Sequence, residues 1–376
     1  MKTTSLFLCG DVMTGRGVDQ ILGRPADPTL HESYVKDARQ YVRLAEEKHG
    51  PIARPADDAY IWGVALETLR ETGPAARIVN LETAVTASDR FWRGKGIHYR
   101  MSPENLGCLT SARLDCCTLA NNHVLDWGYD GLRETLRCLH QAGMKTAGAG
   151  LTRAEAWAPA VLPAPGGNRF VVLGVATPTS GVPPAWAADD DRPGVAFLPD
   201  LSGKAVAEIA ETIAAVGRDD SDVVIVSIHW GGNWGYEIPA QQRAFAHRLI
   251  EDAGVDVVHG HSSHHAKGIE VYRDRLILYG CGDLITDYEG ISGKESFRGD
   301  LAVMYVPRVE PATGRLSALQ IHPLRIRRMR LGRPPDEDVA WLWNVLNREG
   351  RRLGTSVRLT EDGLLELQWS REREEG

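Results

Sequence analysis

Cysteine is scarce in this chain: there are six in 376 residues, and Cys9, Cys108, Cys116, Cys117, Cys138 and Cys281 show no CxxC or other zinc-finger spacing. That excludes a small disulfide-stapled fold and a thiolate zinc module, and reads the cysteines as small buried hydrophobes in a reducing compartment. An excess of basic charge is missing too, since 43 Lys and Arg face 50 Asp and Glu for a net charge of −7. No nucleic acid partner is expected, and the local clusters at Arg325–Arg330 and Arg351-Arg352 read as solvated faces. No apolar run approaches twenty residues, and Ser5–Cys9 is too short for the core of a signal peptide. The expectation is a cytoplasmic protein with no membrane anchor. Repeats and low-complexity blocks are also lacking. What remains, 43% hydrophobic and 25% charged, is the composition of a globular protein with a substantial core.

Histidine is what the chain concentrates. Four of its twelve, His259, His261, His264 and His265, fall in the stretch Asp256–Gly290 just after the apolar run Val255–Val258. Imidazoles this close repel one another when protonated, so they read as neutral ligands around a cation or as bases beside one. A second apolar run, Leu276–Tyr279, delivers Gly280, Gly282 and Asp283 to another strand end.

Other apolar runs end the same way. Ser5–Cys9 leads to Gly10-Asp11, and Ala75–Leu81 leads to Glu82, with Asn80 and Glu82 on one face by alternation. Leu114–Ala120 leads to Asn121-Asn122-His123, followed by a helix over Asp130–Gly143. Arg169–Ala176 is a further strand, and Asp222–Ile228 leads to His229. Helices are expected over Val35–Lys48, Leu201–Val216, Gln241–Ala253 and Asp336–Asn347. Late strands are expected over Arg298–Pro307 and Ser317–Pro323, then a hairpin over Thr355–Trp369 and a frayed tail, Arg371–Gly376. Residues 16–60 show no chemistry, and Pro183–Pro199 forms a long loop suited to a lid. Asp11, Glu82, Asn122-His123, His229 and the His261/His264 group thus all sit at the carboxyl ends of strands, where α/β sheets place ligands. The donors are nitrogen and oxygen without thiolate, a set that suits Mn²⁺, Zn²⁺, Fe²⁺, Mg²⁺ or Ca²⁺, one or two per chain. The loop Phe91–Arg100 carries Arg93, Lys95 and Arg100, cations able to pair with an anionic substrate, and Asp283 is expected to face the substrate as well.

Seven motifs carry a resemblance: GDVMTGRGVD (10–19), NLETAVT (80–86), KGIHYRMSPENL (95–106), LANNHVLDWG (119–128), HWGGNWGYE (229–237), GHSSHHAKGIEVY (260–272) and YGCGDLITDYEG (279–290). Over about Ser5–Arg325 the chain resembles the CapA proteins of capsule or poly-γ-glutamate biosynthesis. The resemblance implies an α/β (α+β) fold, a four-layer αββα sandwich of metallophosphoesterase type with two mixed sheets flanked by helices. It would occupy residues 1–330, with 331–376 a helix and hairpin packed on it. It further implies Asp11 as ligand of one metal, Glu82 as bridging acid, and Asn122, His229 and His261 on a second metal. His264 would complete the first site, and His123 would be the neighbouring acid or base. Three departures stand out: Asp11-Val12-Met13 where phosphoesterases have Asp-x-His, Gly260–His264 where they have Gly-His-x-His, and Gly282-Asp283 where CapA proteins often have Gly-Asn.

The leading expectation is a metal-dependent enzyme that hydrolyses or transfers amides in a peptide or polyglutamate-like substrate, with His123 moving the proton. The alternative is epimerisation at Cα of a ribosomally made peptide, with His123 and either His264 or His265 as the two bases. Phosphoesterase activity is a third possibility, and a scaffold without metals a fourth.

Overall fold

The strands Thr4–Val12, Arg169–Ala176 and Val223–His229 are almost unbroken apolar runs because each is covered on both faces. Alternation sends Leu6 and Leu8 into one core while Phe7 and Cys9 enter another. The computed structural model describes residues 3–370, so the expected tail Arg371–Gly376 lies outside the described residues.

The fold is mixed α/β. A ten-stranded sheet runs in the order Thr355–Leu359, Leu365–Trp369, Arg315–Ile326, Leu301–Glu310, Thr4–Val12, Ala76–Leu81, Cys116–Thr118 and Lys145–Ala147. Asp283–Ile285 adds to the end of the Thr4–Val12 strand, and Leu331–Gly332 to that of Arg315–Ile326. A six-stranded sheet runs Ile269–Tyr272, Arg275–Leu278, Val257–His261, Val223–His229, Arg169–Ala176 and Ala160–Pro163. One core joins Leu6, Ile78, Tyr305 and Ile321 of the first sheet to Phe170, Ile225, Val257 and Leu276 of the second. A second core packs Phe7, Val79 and Leu81 against the helices Arg39–His49, Ala65–Thr72 and Gly128–Gln141 through Val42, Leu69 and Leu132. A third packs Val224, Val226 and Val258 against Gly203–Ala215 and Ala240–Ala253 through Ile209, Phe245 and Leu249.

The expected strands and helices are present with shifted ends. Gly143 adopts φ +81° just past its helix, as a residue that stops one should. The strands Leu301–Glu310 and Arg315–Ile326 continue through Pro307 and past Pro323, since their long antiparallel register tolerates one missing donor at each proline. All six cysteines are free and buried. No helix among the described residues is long and apolar enough to cross a membrane.

Candidate metal centre

Register brings the polar strand ends together. Asp11 lies beside Asn80 on one parallel neighbour and beside Asp283 on the other. In the second sheet His229 pairs directly with His261, and Ser227 with His259, two residues earlier on the same face. Gly10 allows the closest of these approaches: a Cβ there would lie 1.7 Å from the Gly282 carbonyl oxygen, which accepts a hydrogen bond from the Asp11 N–H at 3.0 Å.

Ligand atoms of Asp11, His229 and His261 lie within 4.8 Å of one another, as do those of Asp11, His264 and Asp283, and all five residues are buried. Asp11 belongs to both groups, so the two meet at that one residue. Asp11 Oδ1 accepts from Asn80 Nδ2 at 2.7 Å, and His264 Nδ1 meets Asp283 Oδ1 at 2.7 Å. His229 Nδ1 and His261 Nδ1 are 2.7 Å apart, and His229 Nε2 lies 3.0 Å from Asn122 Oδ1. Glu82, assigned the bridging place by resemblance, approaches from the side: its Oε1 is 3.9 Å from His229 Nε2 and 3.8 Å from His123 Nε2.

These residues fit a cation. Burial, then Asp283, pushes the Asp11 carboxyl up to about 7. Burial and Asp11 push Glu82 well up, and burial raises Asp283 despite His264. Asp283 Oδ2 is buried without a hydrogen-bond partner. Three carboxyls that resist ionising side by side, with one oxygen unsatisfied, lack only positive charge. Burial holds His229 and His261 far below the usual imidazole range, hence neutral and able to donate lone pairs. His264 is shifted the other way, because Asp283 and Asp11 outweigh its burial.

A buried relay fixes the tautomer of His261. The Cys9 carbonyl can only accept, so His259 Nε2, 2.6 Å away, carries the proton between them. The single Ser227 proton is shared between Thr118 Oγ1 and His259 Nδ1, both 3.1 Å away, which leaves Ser227 Oγ to accept from His261 Nε2 at 2.9 Å. The lone pair of His261 is thereby left on Nδ1, aimed at His229 and Asp11.

His123 sits at the opposite flank, its Nδ1 2.7 Å from Asp126 Oδ2 and 2.9 Å from Lys95 Nζ. Burial and Lys95 lower His123 to about 4. Several expected roles change here. Lys95 also salt-bridges Asp126, so its charge is partnered within the protein and not offered to a substrate. Trp186, fully buried in the expected lid loop, lies under the Lys95 ammonium, 5.4 Å from ring centroid to Nζ. Arg100 is buried against Asp89, the Ser88 and Asp27 carbonyls and the Trp127 ring, which removes it from substrate binding. Arg93 is exposed on the same loop. Asp283, expected to face a substrate, lies with His264 and Asp11 in one candidate ligand group. His265 has both nitrogens engaged by backbone, Nδ1 with the Ala266 carbonyl and Nε2 with the Gly235 N–H, so neither is free to move a proton.

Sequence reasoning missed Ser227, Asp126, Tyr99, Tyr288 and Arg16. Alternation along Val223–His229 could have placed Ser227 on the His229 face, whereas nothing local singles out Arg16. It lies in the stretch without expected chemistry, yet is buried between Asp287 and Glu32, with Tyr41 stacked on it.

A family profile described as bacterial capsule synthesis protein PGA_cap matches residues 5–288. A probable polyglutamine synthesis accessory protein of Mycobacterium tuberculosis (strain CDC 1551 / Oshkosh) is 47% identical over 363 residues, 96% of this chain and 95% of its own. The PGA biosynthesis protein CapA of Bacillus subtilis (strain 168) is 28% identical over 284 residues, 75% of this chain and 63% of that one. Among solved structures, one described as a novel phosphatase of Mycoplasma pneumoniae covers 89% of this chain and 96% of its own, at 12% identity and a TM-score of 0.45.

Proposed function

The chain belongs to the bacterial capsule synthesis PGA_cap family, and from that premise we propose a metal-dependent enzyme acting on a peptide or polyglutamate-like chain by amide hydrolysis or transfer. We place its fold among the four-layer αββα sandwiches of metallophosphoesterase type, with residues 331–376 an extension of the body formed by 1–330. The observation that carries the reading is Asp11 shared between two buried ligand groups.

In this reading Asp11, His229 and His261, with Asn122 and Glu82 beside them, hold one divalent ion, and Asp11, His264 and Asp283 hold another. When bound, such ions polarise a substrate oxygen and neutralise the three carboxyls. Asn80 orients Asp11 by donating to Oδ1, and the relay through Ser227 orients His261. His123, kept neutral by burial, takes up or returns the proton at Nε2, while Asp126 and Lys95 occupy Nδ1. Arg93 is the loop cation left to meet a substrate carboxylate. The names of the relatives, a polyglutamine synthesis accessory protein of Mycobacterium and a PGA biosynthesis protein of Bacillus, support a polyglutamine- or polyglutamate-like chain as substrate.

A second reading is Cα epimerisation, in which His264, held by Asp283, acts as a base in place of a ligand, opposite His123 held by Asp126 and Lys95. Purified protein should retain about one to two equivalents of divalent metal, on the pattern of such sites, and Asp11→Ala should abolish retention. Incubation with a γ-glutamyl peptide in D₂O then separates the chemistries. New chain ends support amide cleavage, whereas deuterium at Cα with unchanged length supports epimerisation and overturns the first reading. A wild-type protein that holds no metal overturns both.

A further inference from the structure

Two phenols that have no part in the steps above stand between the flanks of the centre. Tyr99 is fully buried, its ring edge-on to His123 with centroids 4.6 Å apart. Tyr288 meets His264 in the same edge-on manner at 5.2 Å. Tyr99 Oη is buried without a hydrogen-bond partner, although a buried hydroxyl ordinarily has one. Tyr288 Oη has the thioether of Met13, a weak acceptor, at 3.9 Å. Met13 occupies the position where the metallophosphoesterase pattern has a histidine. The two hydroxyls also lie near each other in a weak mutual contact, with Asp283 and Glu82 close to Tyr288.

Arg16 holds the pair in place. Its guanidinium lies 4.2 Å from the centroid of Tyr99 and 5.8 Å from that of Tyr288, with Asp287 and Glu32 fixing its nitrogens. Its backbone adopts φ +49°, a conformation that strains a side chain such as arginine and persists only where its surroundings over-determine it. A cation over a phenol ring draws electron density from it and makes the O–H a better donor. The result is a pair of hydroxyls with no strong acceptor beyond each other and Met13, between His123 and His264.

We propose that Tyr99 and Tyr288 form a hydroxyl pair that donates to the substrate oxygen on which negative charge builds, a carbonyl or carboxylate oxygen lying between the two histidines. The inference rests on the metal-centre reading and adds to it the residues that would receive the substrate oxygen. Preorganised donors at such a position act without reorganisation, and each hydrogen bond to a charged oxygen is worth roughly tenfold to a hundredfold in affinity.

The test uses inorganic phosphate as an oxyanion probe on the metal-loaded full chain, with calorimetry and metal content measured together. Tyr99→Phe and Tyr288→Phe should each weaken phosphate by roughly tenfold or more, with metal content unchanged. Tyr99→Phe removes only the weak contact with the Tyr288 hydroxyl, so its melting temperature should stay close to that of the wild type. Equal phosphate affinity in wild type and both variants, metal retained, overturns the pair and leaves the centre standing. So does a metal-loaded wild type that binds no phosphate, or a Tyr99→Phe protein that melts well below wild type, since the hydroxyl would then be structural. A wild type that retains no metal overturns the reading of the centre and the pair with it.

Discussion

Ser227 shows how one hydroxyl can govern a ligand it does not resemble. Its oxygen receives the proton of His261 Nε2 and directs its own to Thr118 and His259, whose other nitrogen is tied to the Cys9 carbonyl. Without it, His261 is free to carry its proton on either nitrogen, and part of the population loses the lone pair at Nδ1. Ser227→Ala should therefore lower metal affinity about 10–100-fold, the usual cost of losing an outer partner of a ligand. Competition against a chelator measures this, and an unchanged affinity would show that the relay does not set the tautomer. The identities of the candidate ligands were legible at this scale because carboxylate, amide and imidazole side chains announce themselves. The partners that fix Lys95, Arg100 and His265 were not. Lys95 and Arg100 read as substrate-binding cations and His265 as a base in the sequence, and only their neighbours in space, Asp126, Asp89 and the Gly235 N–H, reveal them as engaged.

At the scale of the element, the apolar strands and amphipathic helices were readable from periodicity, and so was the placement of polar residues at strand ends. Register was not, because it depends on pairings between segments remote in sequence. That is why Asp283 read as a substrate contact, while the structure pairs it with Asp11 across parallel strands. Gly10 is the residue that lets these strands meet. An alanine there would drive a methyl group into the Gly282 carbonyl, a backbone atom that cannot swing aside. Gly10→Ala should cost about 1–3 kcal/mol or more in stability and reduce metal content, by moving Asp283 away from Asp11. Gly96→Ala is the matched control, since nothing lies within 4 Å of a Cβ at that position. Thermal melts and metal analysis of the two variants make the comparison, and equal behaviour would mean the strand contact is not what assembles the centre.

For the whole molecule, the consequence of two sheets closing over acids and imidazoles is a stability that depends on pH and on metal together. In metal-free protein Asp11 keeps its proton up to about 7, whereas the unfolded chain releases it above 3.8. A raised carboxyl favours the folded state at low pH, and this contribution is lost as pH rises through about 7. Buried neutral His123 and His259, each lowered to about 4, act in the opposite sense: the unfolded chain takes up their protons below 6.5, so stability falls as pH drops from there. Above pH 6.5 the acids are in play together with His264, whose upward shift acts in the same sense as theirs. Metal-free protein should lose stability between pH 6.5 and 8, by up to about 1.4 kcal/mol per pH unit for each carboxyl still protonated. A bound divalent cation removes the penalty by stabilising the ionised carboxylates, so the gap in melting temperature between metal-loaded and chelator-treated protein should widen from pH 6.5 to 8. Asp11→Asn should flatten the metal-free dependence and abolish most of the gap. If the chelator-treated wild type instead melts higher at pH 8 than at 6.5, the buried acids are already ionised without metal, and the electrostatic case for a cation between the sheets fails.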